Sequence, residues 1–234
     1  SASGIFAGAV QDYRRGLMLG QRTFGKGTVQ NLLPLDRWSS KPVNGQLTVT
    51  IGKFYRITGE STQHRGVEPD VPLASPIDPD EVGESALDAA LPWDRIGSVG
   101  FHQESAATGS LASLVQAEGN RARTDPGYRW LVGDIEAVEQ LRKQHSVSLN
   151  LGLRQQERRH VDSERLSREN VRRSAEGLPV LKSIAELESR VAPDVVLEQA
   201  SEVIGDMVAG VRPLAPGPIP ARLEHRKATV AKKE

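Results

Sequence analysis

The sequence predicts an α/β unit, then a mainly helical unit, then a disordered tail. Three observations carry this. Over the first 75 or so residues, one helical stretch is followed by short β-branched and alternating runs broken by glycine. From about residue 112 to 211, apolar positions recur at helical spacing among many charges. From Pro213 onward Pro, Ala and Lys dominate and no apolar periodicity survives. These bounds give units at 1–97 and 112–212, a linker at 98–111 and a tail at 213–234.

Residues 1–15 read as a helix, with Ile5, Phe6, Ala9, Val10 and Tyr13 at helical spacing and Gly16 as its stop. Residues 17–20 form a short apolar run suited to a buried strand, and 21–27 a loop punctuated by Gly25 and Gly27. Residues 28–33 read as a strand ending at Pro34. Residues 46–57 alternate through Leu47, Val49 and Ile51, with Gly52 as a bulge. A proline-rich connector covers 72–80, and 84–92 could hold one short helix. Asp125-Pro126 is a helix start, because Asp caps the first turn and Pro fits it. Residues 146–150 read as an isolated strand, 153–176 as a solvated helix laced by ion pairs, and 194–211 as an amphipathic helix.

Composition sets bounds on function. Lys plus Arg (30) equals Asp plus Glu (30), so no charge excess favours nucleic acid or an anionic membrane. The absence of cysteine excludes a disulfide framework, a thiolate zinc site and a thiol nucleophile. The chain begins at Ser1 without a methionine, and is expected to be a fragment with any export signal upstream.

Two motifs bear on chemistry. Gly20-x-x-x-x-Gly25-Lys26 nearly spells a phosphate-binding loop, but Gly27 stands where that loop needs Ser or Thr, and a strand follows instead of a helix. The second motif is Ser1 in a small-residue helix start. An isolated serine there is usually a cap, yet helix-terminal N–H groups could also stabilise an oxyanion. None of His64, His102, His145, His160 and His225 stands in a recognisable triad motif. A lysine can serve as base instead if burial lowers its proton affinity, with Phe24 and Val29 as local candidates for an apolar lining of Lys26. An alternative is an N-terminal nucleophile hydrolase, in which the free amine of Ser1 is its own base.

The blocks SASGIFAGAVQDYRRG, FGKGTVQ, KFYRITGESTQHRGVEPDV and ALPWD together resemble the C-terminal processing proteases, in order and spacing. DPGYRWLVGDIEAV and SVSLNLGLRQQE resemble the helical extension of their tail-specific branch. Gly4 departs from that pattern, which usually has Glu there.

The resemblance implies a partial α/β protease core followed by the helical domain. It implies Ser1 as nucleophile, Lys26 as general base, Gln30 as the residue orienting the lysine, and Ala2 N–H as an oxyanion donor. It requires no metal or cofactor. It implies periplasmic substrates with apolar C-terminal tails, a PDZ domain upstream, and a periplasmic enzyme with inner-membrane association of the full-length protein. The non-enzymatic alternative is an interaction module built on the helical region, with the Ser/Lys pair inert.

Overall fold

A computed structural model describes residues 2–42, 44–78, 81–103 and 110–210. Ser1, the middle of the expected linker and the whole expected tail lie outside the described residues.

Helix α1 (Ala2–Asp12) opens the chain. Small residues line its inner face: Gly4, Ala7 and Gly8 are buried, so the helix lies close on what it covers. A Cβ at Gly8 would sit 3.6 Å from the Arg56 side chain. Its end is tied down by charge. Arg56 Nε donates to both Asp12 carboxylate oxygens at 3.1 and 3.0 Å, and Gln11 Nε2 donates to Asp70 Oδ1 at 2.9 Å.

Two small sheets follow. β1 (Leu19–Gly20) pairs in parallel with β4 (Val71–Pro72), and β2 (Thr28–Pro34) pairs antiparallel with β3 (Gln46–Lys53). The second ladder slips once: Val29 faces Gly52 and Gln30 faces Thr50, which leaves Ile51 as the extra residue beside Gly52. The bulge expected at Gly52 is therefore present.

Residues 92–103 make no regular element but run back over the 54–62 segment. Ile96 N–H donates to Gly59 C=O at 2.8 Å and Val99 N–H to Ile57 C=O at 3.0 Å. Trp93 donates to Ser61 C=O at 2.8 Å and carries the Arg65 guanidinium 3.8 Å over its ring. Asp94 accepts from Lys53 at 2.9 Å, and that hydrogen bond holds its carboxyl below the usual range. The short helix expected at 84–92 is only a 3-10 turn, Glu84–Ala86.

The remainder is helical: α2 (Leu111–Thr124), α3 (Pro126–Arg142), α4 (Leu151–Ala175), α5 (Ile184–Glu188) and α6 (Val195–Val208). Asp125 caps α3 as the sequence predicts, accepting from Tyr128 N–H at 2.7 Å. Residues 146–150 form no strand; Asn150 instead caps α4 by accepting from Leu153 N–H at 3.1 Å. Leu114, Leu181, Val195 and Val203 are buried in this region. The solvated reading of α4 holds only for its first half, since Glu169, Arg172 and Arg173 are buried. Arg172 donates to Glu169 at 2.9 Å and to Glu176 at 2.8 Å. Burial opposes its charge, but these two carboxylates outweigh burial and hold the guanidinium above its ordinary range. Arg121 joins Glu118 of α2 to Asp206 of α6. Burial pushes the Glu118 carboxyl up, with Arg121 only partly offsetting it. Tyr128 OH accepts from Ala74 N–H at 2.8 Å, linking α3 to the segment after β4.

Candidate active site

Lys26 lies in the loop between β1 and β2, and the chain grips that loop on both sides. Gly25 has a φ of +88°, and a Cβ there would lie 2.9 Å from the His64 carbonyl oxygen. A Cβ at Gly27 would lie 2.8 Å from the Gln63 nitrogen. Only glycine lets two backbones approach this closely, which explains why the lysine is flanked by two of them. The space is used for hydrogen bonds. His64 N–H donates to Gly25 C=O at 2.9 Å, Phe54 N–H to Gly27 C=O at 3.0 Å, and Glu84 N–H to Phe24 C=O at 2.8 Å. Gly27 N–H donates to Gln63 Oε1 at 2.8 Å.

The lysine amine is directed as well. Lys26 Nζ donates to Gln30 Oε1 at 2.6 Å, and Gln30 Nε2 donates to Thr50 Oγ1 at 3.2 Å. The bulge brings Thr50 opposite Gln30, so the chain Lys26–Gln30–Thr50 runs across the β2–β3 ladder. Thr50 and Gln63 were not legible from sequence, because each is placed by long-range register. Phe24 and Val29, the candidates for an apolar lining, are 45% and 44% exposed. Lys26 itself is half-buried.

The first turn of α1 lies near this loop. A Cβ at Gly4 would be 3.7 Å from Thr23 Oγ1, an ordinary contact distance, three residues before Lys26. Thr23 is in turn fixed by accepting from Val67 N–H at 2.9 Å. Ala2 opens α1, where the leading N–H groups have no intrahelical acceptor. Ser1 lies outside the described residues. The phosphate-loop alternative requires a helix after the lysine; the chain enters strand β2 instead. Among the described residues no group of His, Cys, Asp or Glu is arranged to hold a metal.

Comparison with known proteins fits this geometry. Residues 1–73 match the model described as Peptidase family S41, which gives the class of the first unit. Residues 77–209, more than half of the chain, match the C-terminal domain of tail specific protease, and the chain belongs to the tail-specific protease family. It is 38% identical over 215 residues to a tail-specific protease of Haemophilus influenzae, covering 89% of this chain and 31% of that protein. It is 34% identical over 137 residues to a carboxy-terminal-processing protease of Bartonella bacilliformis, covering 58% of this chain and 30% of that one. A chloroplastic C-terminal processing peptidase of Tetradesmus obliquus is 37% identical over 82 residues, 35% of this chain and 16% of its own length. The chain thus spans about a third of the first two relatives. No helix among the described residues is long and apolar enough to cross a membrane.

Proposed function

We propose that the complete protein is a serine endopeptidase in which Ser1 is the nucleophile, Lys26 the general base and Gln30 the residue that aims the lysine. The observation that carries this is the Lys26–Gln30–Thr50 chain on a backbone held from both sides. In the reaction, the unprotonated Lys26 amine takes the proton from Ser1 Oγ as that oxygen attacks a peptide carbonyl. The amine leaving group departs with a proton returned from Lys26, and an acyl-enzyme remains. Water, deprotonated by the same amine, hydrolyses it. Ala2 N–H would stabilise the oxyanion from the start of α1.

No metal or cofactor enters this scheme. The substrates we assign are proteins with apolar C-terminal tails, met in the periplasm and delivered by a PDZ domain upstream; these assignments rest on the family resemblance. The test is cleavage of a reporter with an apolar tail by the complete enzyme. Lys26→Arg keeps the charge, but guanidinium does not give up its proton. Its rate should fall by about 10²–10⁴-fold, as loss of a general base does. Lys26→Ala should fall as far, and Gln30→Ala less. Substantial cleavage by Lys26→Arg would overturn the assignment.

A further inference from the structure

We infer that Gln63, backed by Glu84, is a positioning residue for Lys26, an inference that rests on the reading of Lys26 as the base. Gln63 is fully buried and Glu84 is 5% exposed. The Gln63 amide bridges two partners of fixed polarity. Its Oε1 accepts from Gly27 N–H at 2.8 Å and its Nε2 donates to Glu84 Oε1 at 2.9 Å. A backbone N–H only donates and a carboxylate only accepts, so the amide has one workable orientation.

Glu84 thereby controls both ends of the lysine loop. Its own N–H donates to Phe24 C=O at 2.8 Å, two residues before Lys26. Its carboxylate, through Gln63, fixes Gly27, the residue after Lys26. The Gln63 backbone is itself held, its N–H donating to Ser61 Oγ at 3.0 Å. A buried carboxylate is a poor choice for stability alone, because desolvation costs more than an apolar filler would. A fully satisfied polar network, by contrast, specifies one geometry. Here the geometry specified is the path of the backbone that carries the lysine.

The experiment uses the complete enzyme and an apolar-tailed peptide, with kcat, KM and thermal melting measured for Gln63→Glu and for the double variant Gln63→Glu/Glu84→Gln. The single change sets two carboxylates against each other beside Gly27. Its kcat should fall by about a hundredfold, the scale of a misplaced catalytic group, while KM stays within about twofold. The double variant reverses the direction of one hydrogen bond and keeps both. It should recover kcat to within about threefold of the wild type, since it restores the positioning contact rather than adding a new one.

Wild-type kcat in Gln63→Glu would overturn the inference. So would a double variant that melts like the wild type yet stays as slow as the single one. If Gln63→Glu fails to fold, the double variant decides in the same way; failure of both to fold would assign the pair a purely structural role and overturn it. Lys26→Arg is assayed in parallel. Activity there would break the reading of the base, whereas an inactive Lys26→Arg beside a fully active Gln63→Glu would break only this inference.

Discussion

Around Lys26 the chain is held mainly by its own backbone, whereas the helical region carries buried charge within α4 and between α2 and α6. In the first region, Gly25 and Gly27 bring the loop within hydrogen-bonding distance of residues 61–66, where His64 N–H bonds to Gly25 C=O and Gly27 N–H to the Gln63 side-chain amide. In the second, Arg172 pairs with Glu169 and Glu176, and Arg121 pairs with Glu118 and Asp206. The difference lies in what each can tolerate. A backbone contact fails as soon as any side chain intrudes. A buried ion pair fails only when one partner is lost, but then leaves a charge without compensation.

The largest effect should come from Gly27→Ala, whose methyl group would press on the Gln63 nitrogen at 2.8 Å. We expect about a hundredfold loss of kcat in the complete enzyme, from displacement of the lysine. Steady-state rates would check it; an unaffected rate would break the claim that the backbone contact sets the site. Next is Arg172→Met, which removes the guanidinium between the buried Glu169 and Glu176 carboxylates and leaves Glu169 with Arg173 at 3.7 Å. Denaturant unfolding should show a loss of about 3–5 kcal/mol, the usual result of breaking a buried pair, with a much smaller change in kcat. A loss below about 1 kcal/mol would place the pair with exposed ones. The smallest effect should come from Gly119→Ala in α2, where a Cβ would meet nothing within 4 Å. It should stabilise the protein by about 0.5–1 kcal/mol, the helix advantage of Ala over Gly, read as a raised melting temperature. Destabilisation would mean that this helix face is covered.

Much of the element pattern was legible. The strand after Lys26, the alternation through Val49, the bulge at Gly52 and the Asp125 cap all depend on neighbours in sequence, and local chemistry determined them. The failures share a cause. Residues 146–150 alternate like a strand but pair with no strand among the described residues, and Asn150 caps a helix instead. The burial of Arg172 could not be read from a charge-rich segment, because burial comes from tertiary neighbours such as Trp130 of α3, whose ring centre lies 5.6 Å from the guanidinium. At the site, Lys26 and Gln30 came from the resemblance to a known family. Thr50, Gln63 and Glu84 did not, since each reaches the lysine loop through register or tertiary contact.

Glu84 and Trp93 fall within the stretch that matches the C-terminal domain, residues 77–209, yet Glu84 grips the lysine loop and Trp93 bonds to Ser61. The border drawn by sequence similarity therefore cuts through the support of the site. Recombination between relatives at residues 74–76 would pair one parent's lysine loop with another parent's Glu84 and Trp93. A crossover beyond residue 103 would carry the loop and its supports together. The two units are thus not freely interchangeable parts: about twenty-five residues of the second must be inherited with the first.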